Sequence, residues 1–101
     1  NVVGGLRLDE PAADLAVAMA LVSSLKDVPI RDDAMVIGEV GLAGELRSVS
    51  RMDARMGEAQ RLGFHRCVLP YSNLKQIHTQ HAGMELIGVK DVREAFDALT
   101  S

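Results

Sequence analysis

An apolar run of eight residues, Leu15 to Val22, lies inside a predicted helix and constrains the fold more than any other feature. Asp9-Glu10-Pro11 precedes it and is typical of a helix start, because acidic residues favour the positive end of the helix dipole and proline is tolerated in the first turn. The helix is predicted over residues 11–26. Because its middle is apolar all round, we expect burial on more than one side, against core or a neighbouring subunit.

Strands and helices alternate along the rest of the chain. Further helices are predicted over 51–62 and 72–78 and from Asp91 to the end, with Ser50 and Asp91 as caps. The predicted strands are 1–8 (with a bulge or a close backbone approach at Gly4 and Gly5), 34–38, 45–49, 66–69 and 84–89. Alternation from Ala34 onward favours an α/β fold with an at least partly parallel sheet, in one domain over residues 1–101.

Composition removes several classes of function. The formal net charge of −3 argues against a free-standing, non-specific nucleic-acid binder, and 3% aromatic residues leave no base-stacking platform. Cys67 is the single cysteine, which excludes an internal disulfide and a cysteine-based zinc site and predicts an inert buried thiol. With no apolar run long enough to span a membrane, we expect a soluble, cytoplasmic protein without membrane partners.

Three stretches, taken in order, resemble the proteolytic domain of Lon. They are Leu8-Asp9-Glu10-Pro11-Ala12-Ala13-Asp14, then Gly38-Glu39-Val40-Gly41-Leu42-Ala43-Gly44-Glu45-Leu46-Arg47, then Ala59-Gln60-Arg61-Leu62-Gly63-Phe64 followed by Val68-Leu69-Pro70. In Lon-type peptidases the first stretch carries the nucleophilic serine, and a helix after the second carries the catalytic lysine. The resemblance covers essentially the whole chain and implies a mixed sheet packed with helices, as in the ribosomal protein S5 domain 2-like fold.

The catalytic positions of that family are not kept. Ala12 stands at the nucleophile position, and Asp53 stands at the lysine position, or Arg55 if the register slips by two. A Ser–Lys dyad needs a hydroxyl and a lysine that can accept its proton. Alanine has no nucleophilic atom, aspartate has the wrong charge, and arginine does not deprotonate in proteins. The resemblance therefore implies a domain without peptidase activity.

The altered turn, Asp-Glu-Pro-Ala-Ala-Asp-Leu-Ala-Val-Ala, also resembles the RadA (Sms) family of bacterial DNA-repair ATPases. This implies a C-terminal Lon-like domain, here lacking its N-terminal part, joined to a zinc finger and a RecA-like ATPase core. It further implies a hexameric ring that moves along DNA and acts on branched or single-stranded recombination intermediates, with RecA as a candidate partner. No cofactor is expected in this chain, because ATP, magnesium and zinc would belong to the upstream domains.

A basic edge is the candidate DNA contact. Lys26 and Arg61 end predicted helices, while Arg31 and Arg66 precede predicted strands. In parallel α/β units these positions share one edge of the sheet, so the four cations could converge on phosphates. The alternative is a set of solvated charges that complement helix dipoles.

Other positions carry weaker signals. Arg51 and Arg55 lie one turn apart and are predicted to face solvent, with contact to a subunit or DNA as the alternative. Asp14 is predicted to favour the helix dipole or to contact a neighbouring subunit. His78 and His81 could form a metal pair, but no third ligand is evident. Two other functions stay open: a peptidase with a displaced nucleophile, for which Ser23 and Ser24 are candidates, and a binding domain that recruits a recombinase.

Overall fold

The order of elements in the structure, a computed structural model, follows the predicted alternation over most of the chain. It describes residues 10–78, 81 and 83–101, and the backbone alone at 2–3 and 6–7. In chain order the elements are β1 (Val2–Val3), β2 (Leu6–Arg7), a 3-10 turn (Pro11–Ala13), α1 (Asp14–Lys26), β3 (Ala34–Val36), β4 (Glu39–Val40), β5 (Leu46–Arg47), α2 (Met52–Arg61), β6 (Arg66–Pro70), a 3-10 helix (Tyr71–Gln76), β7 (Glu85–Val89) and α3 (Val92–Thr100).

Three strands form a parallel sheet in the order β3, β6, β7, which confirms the predicted α/β class. Successive side chains of a strand point to opposite faces, and β6 is apolar on both. Cys67 and Leu69 pack with Met56 of α2, whereas Val68 packs with Leu15 of α1 and with α3. Because both faces are covered by helices, this strand is a continuous apolar run in the sequence rather than an alternating one.

The helix α1 has nearly its predicted bounds, but only one of its sides is buried. Leu15 and Met19 are 0% and 1% exposed, whereas Val17, Leu21 and Leu25 are 43%, 60% and 86% exposed. Within this chain alone, only one side of α1 is therefore buried, and burial of the other side against a neighbouring subunit stays a prediction. The sheet and α3 cover the side that carries Leu15 and Met19, and a helix without an apolar stripe gives no signal for which side that will be.

The N-terminal residues form a short hairpin instead of the single strand predicted over residues 1–8. β1 and β2 pair antiparallel, with Val2 opposite Arg7 and Val3 opposite Leu6. In a sequence, a Gly-Gly pair between two short apolar segments is compatible with one strand or with two paired strands. The bulge predicted at Gly4 and Gly5 lies outside the described residues.

A second hairpin pairs β4 with β5 and places Glu39 opposite Arg47. Its turn is closed by the Gly41 N–H, which donates to the Glu45 carbonyl at 2.8 Å. The Leu46 N–H donates to the Lys90 carbonyl at 3.0 Å, so the hairpin is attached to the end of β7. The strand predicted over 45–49 is thereby shortened to two residues, and β4 follows almost directly from β3.

The starts of α2 and α3 are made differently. Asp91 caps α3 as predicted, since its Oδ1 accepts from the Glu94 N–H at 2.9 Å. The predicted cap of α2 by Ser50 is wrong: Arg51 is the N-cap, at φ 60° and without a side-chain cap bond. The Ser50 carbonyl instead accepts from Arg55 Nε at 2.9 Å. Within the described part of the chain, no helix has the length and apolar character needed to cross a membrane.

Candidate functional site

A polar cleft of about 290 Å³ lies beside the 3-10 turn that precedes α1. Ala12, which the sequence resemblance aligns with the Lon nucleophile, is 5% exposed and forms part of its wall. The lining residues are Glu10, Pro11, Ala12, Glu39, Ser48, Val49, Ser50 and Arg55. Three of these carry charges and two carry hydroxyls, so the cleft is a polar site with a methyl group where the resemblance places a nucleophile.

Backbone hydrogen bonds to Gly38 hold Ala12 in this wall. The Gly38 N–H donates to the Ala12 carbonyl at 3.0 Å, and the Leu15 N–H donates to the Gly38 carbonyl at 3.0 Å. A Cβ on Gly38 would lie 3.3 Å from Leu15 Cδ2, so this close approach favours glycine. The Val40 N–H donates to the Asp14 carboxylate at 3.2 Å. The start of α1 and residues 38–40 are therefore one connected unit, and Asp14 has a role inside the domain.

Arg55 supplies the cation of the cleft. Its Nη2 lies 3.3 Å from a Glu10 carboxylate oxygen, and its Nε donates to the Ser50 carbonyl. Its side chain is only 19% exposed, so the predicted solvent-facing position is wrong for Arg55, although Arg51 is exposed. The two oxygen acceptors draw the guanidinium into the cleft. Because arginine stays protonated in proteins, this cation cannot accept a proton from a neighbouring hydroxyl.

Asp53, the other residue considered for the lysine position, has different neighbours. Its Oδ2 accepts from the His78 N–H at 3.3 Å, and its Oδ1 lies 3.5 Å from His81 Nε2. Among the described residues it is Arg55, not Asp53, that shares the cleft with Ala12. The Asp53 carboxylate thus contacts the backbone of His78 and the ring of His81. In the described part of the chain, no three His, Cys, Asp or Glu residues are grouped to hold a metal ion.

Asn73 shapes the cleft and was missed by the sequence analysis. It is 0% exposed, its Oδ1 accepts from the Val49 N–H, and its Nδ2 donates to the Val49 carbonyl, both at 2.9 Å. The amide therefore completes both backbone groups of Val49, between the cleft residues Ser48 and Ser50. A lone asparagine after Pro70 has no sequence signal that separates this role from an ordinary turn residue.

Arg31 and Arg66 meet at the last turn of α3. Arg66 Nη1 donates to the Ala98 carbonyl at 2.8 Å, and Arg31 Nη1 donates to the Ser101 carbonyl at 3.4 Å. Each also has a carboxylate partner at 2.9 Å, Asp33 for Arg31 and Glu85 for Arg66. The hydrogen bond from Arg31 holds the pKa of Asp33 below its ordinary value. These two predicted DNA-contacting cations lie together, but their charge is largely neutralised within the chain.

The other two predicted DNA-contacting residues lie at the ends of α1 and α2. Arg61 Nη2 is 2.5 Å from Glu58, and the hydrogen bond from Arg61 lowers the pKa of that carboxyl. Lys26 Nζ lies 5.8 Å from the centre of the Phe96 ring and has no carboxylate partner among the described residues. The topology thus places four cations toward one edge of the sheet, and three of them are already bound to carboxylates.

The remaining candidate nucleophiles have no base as a hydrogen-bond partner among the residues that the structure describes. Ser23 Oγ donates to the Val28 carbonyl at 2.5 Å, and Ser24 is exposed near the end of α1. Ser48 Oγ is hydrogen-bonded to Ser72 Oγ. Burial raises the pKa of the Cys67 thiol to about 12, as expected for an inert cysteine.

Comparison with protein families gives one match that covers most of the chain. The sequence model of the family described as "Subunit ChlI of Mg-chelatase" matches residues 4–73. The match includes the turn before α1, the cleft and all of α2, and it ends at Asn73.

Curated relatives carry a different description. Proteins named DNA repair protein RadA are 49% identical over 94% of this chain in Bacillus subtilis, 46% over 98% in Aquifex aeolicus and 45% over 94% in Escherichia coli. The chain spans about a fifth of the length of these relatives, 20%, 21% and 20% respectively. The similarity therefore concerns one segment of a much longer protein.

Proposed function

This chain belongs to the family described as subunit ChlI of Mg-chelatase, and it is similar to a segment of proteins named DNA repair protein RadA. We propose that it is a proteolytically inactive Lon-like domain of a RadA-type DNA repair protein. In this proposal it makes and breaks no bond, holds copies of the protein in a hexameric ring and adds contacts to DNA. An ATP-dependent helicase or translocase activity in recombinational repair would belong to the rest of the protein.

The cleft carries the proposal. Acyl transfer by a Ser–Lys dyad needs an attacking hydroxyl next to an amine that can take its proton. Here the nucleophile position is Ala12, and the cation beside it is Arg55, held at 3.3 Å from Glu10. No lysine or histidine is among the described lining residues. Loss of either member of such a unit lowers the rate by orders of magnitude, and here neither the serine nor the lysine stands at the position that the resemblance gives it.

Peptide turnover by the 101-residue chain tests this proposal directly. We expect no hydrolysis of casein or a fluorogenic peptide above background. Ser48→Ala and Ser50→Ala examine the two cleft hydroxyls, and Ser24→Ala, outside the cleft, is the matched control. If the chain hydrolysed peptide, and if either cleft variant abolished this activity while the control variant kept it, a displaced nucleophile would be established. That result would contradict the proposal.

The exposed side of α1 supports the ring. Val17, Leu21 and Leu25 repeat every four residues and form an apolar stripe of the kind that marks contacts between subunits. Sedimentation velocity measures the outcome: we expect association of the chain and its loss in Leu21→Glu and Leu25→Glu. Leu42→Glu, at a side chain just as exposed but on the β4–β5 turn, should change nothing. A chain that stays monomeric at every concentration contradicts the ring contact.

Contact with DNA at the basic edge requires an exchange of partners. Phosphates would have to replace Asp33, Glu58 and Glu85 at their arginines, whereas Lys26 is available as it stands. We expect weak affinity for single-stranded and branched DNA that falls steeply with salt and is lowered by Lys26→Glu and Arg61→Glu. If neither charge reversal changed the affinity for DNA, the alternative function, a binding domain that recruits a recombinase, would be favoured instead.

A further inference from the structure

A second concavity, a groove of about 480 Å³, lies between α1 and α3. It shares no residue with the cleft, and its lining differs from the apolar stripe of α1. The lining residues are Met19, Val22, Lys26, Val92, Arg93, Phe96 and Asp97. Its volume is within the range of pockets that hold a ligand or a few anchoring side chains.

The floor of the groove is apolar because of helical spacing on both walls. Met19 and Val22 lie three residues apart on α1, and Val92 and Phe96 lie four apart on α3, so each pair shares a helix face. Met19 is 1% exposed, whereas the other three are partly accessible. Two helices packed side by side on the sheet thus leave a trough with accessible aliphatic and aromatic surface.

Two cations on the rim of the groove are not paired with acids in the described part of the chain. Lys26 and Arg93 are exposed, and neither has a carboxylate partner among the described residues. Arg31, Arg61 and Arg66, by contrast, are each bound to a carboxylate of the chain. Asp97 is the single acidic residue on the described lining, so the rim is positive on a chain whose net charge is −3.

We propose that this groove binds an amphipathic helical segment of a partner protein, with apolar anchors on the floor and acidic side chains against Lys26 and Arg93. A helix laid in an apolar groove is a common mode of recognition, and complementary charge at the rim sets orientation and specificity. The inference goes beyond the proposed function, because it does not depend on the state of the cleft, on the ring or on DNA.

Charge and chemistry favour this occupant over two others. The α1 stripe of a second copy would bring few carboxylates to the rim, because Asp14, the acidic residue within α1, is engaged by the Val40 N–H and only Asp27 at the C-cap lies near the stripe. Single-stranded nucleic acid binds through stacked aromatic side chains, and the one aromatic ring of this groove, Phe96, already has the Lys26 ammonium over it.

Fluorescence anisotropy with a synthetic peptide tests the proposal on the 101-residue chain. The probe is a peptide of about four helical turns with leucine at i, i+3, i+4 and i+7 and glutamate elsewhere. We expect Lys26→Glu with Arg93→Glu to weaken its binding by about tenfold, and Asp97→Lys to tighten it by about threefold. Lys75→Glu, at an exposed lysine of the 3-10 helix, is the matched control and should leave binding unchanged.

Methyl NMR identifies the site: bound peptide should shift the resonances of Val22 and Val92. Equal binding of a peptide with lysine in place of glutamate, or shifts confined to other methyl groups, would overturn the proposal. So would failure of the acidic peptide to bind. If oligo-dT displaced the peptide and shifted the same methyl resonances whether or not peptide was present, the groove would be a nucleic-acid contact instead. If the Lys26/Arg93 variant no longer associated with itself, the groove would be a contact between copies of the chain.

Discussion

At the scale of single residues, Asn73 links the core to the cleft. Its buried amide supplies both hydrogen-bond partners of the Val49 backbone and also donates to Gln76 Oε1 at 2.9 Å. Buried backbone groups that lose their partners are costly, because water cannot reach them. The wall that carries Ser48 and Ser50 is therefore held by one side chain from the opposite segment.

We expect Asn73→Ala to lower the free energy of unfolding by about 2–4 kcal/mol, because it leaves an N–H and a carbonyl of Val49 without partners. Gln76→Ala removes only the outer hydrogen bond, and we expect a change within about 0.5 kcal/mol. Urea unfolding followed by circular dichroism measures both. Equal effects of the two substitutions would show that the Val49 bonds do not carry this stability.

Sequence reasoning at this scale succeeded where a residue type implies its local chemistry. Asp91 was predicted as a helix cap and is one. Arg55 and Asn73 were not placed correctly, because their positions depend on partners distant in sequence, Glu10 and Val49. No local pattern encodes such pairings.

At the scale of elements, the last turn of α3 depends on β6. The carbonyl groups of a helix C-terminus lack partners within the helix, and here Arg66 Nη1 donates to the Ala98 carbonyl while the Arg31 N–H donates to the Leu99 carbonyl at 3.0 Å. Arg66 is also only 13% exposed in its side chain. Arg66, at the start of a strand, therefore caps a carbonyl group in the last turn of a helix, 32 residues away in sequence.

Replacing Arg66 with alanine should destabilise the chain by roughly 1–3 kcal/mol, since hydrogen bonds with charged groups are stronger than neutral ones. We expect faster hydrogen exchange in the last turn of α3 before the rest of the chain is affected. Arg61→Ala, which removes an exposed pair within α2, serves as control and should have no measurable effect. Unchanged exchange in α3 would contradict the role given to Arg66.

The bounds of α1 and α3 could be predicted from the sequence because caps and periodicity are local. The side of α1 that is buried could not, because Leu21 and Leu15 have the same side chain and differ only in what packs against them. The pairing of β1 with β2 was missed for a related reason: local sequence does not show whether residues 1–8 form one strand or two, and only the contact of Val2 with Arg7 distinguishes them.

At the scale of the whole molecule, carboxylates with lowered pKa values link stability to pH. The pKa of Asp33 is lowered by its hydrogen bond from Arg31, that of Glu45 by backbone N–H groups, and that of Glu58 by Arg61. Each group favours its ionised form in the folded state. Its stabilising contribution is therefore present above the unfolded pKa, near pH ~4, and is lost as the pH falls through the folded value.

The urea midpoint should accordingly fall on acidification below about pH 4. Asp33→Asn should reduce this dependence, because amide nitrogen and oxygen do not titrate in this range. Asp32→Asn, at an exposed neighbour without a hydrogen bond in the described part of the chain, should retain it. If the urea midpoint rose on acidification, the change would be opposite to that expected from the lowered pKa values, and these carboxylates would be excluded as its cause.

The α/β class and the parallel pairing could also be inferred at this scale, because β6 and β7 are apolar strands separated by a helical segment. The pairing of Lys26, Arg31, Arg61 and Arg66 with acids or rings could not, since spacing in sequence places cations at an edge but does not show which carboxylates reach them. The DNA contact at that edge stays a prediction.

Cys67 occupies the middle strand of the central sheet, with its thiol 0% exposed and its pKa raised to about 12. An alkylating reagent reacts with the thiolate, and burial disfavours that form and excludes solvent while Met56 of α2 packs on this face of the sheet. The chain contains no other cysteine. The fraction of modified protein therefore measures how many molecules have lost the packing around this strand. The labelling rate reports unfolding without an added probe.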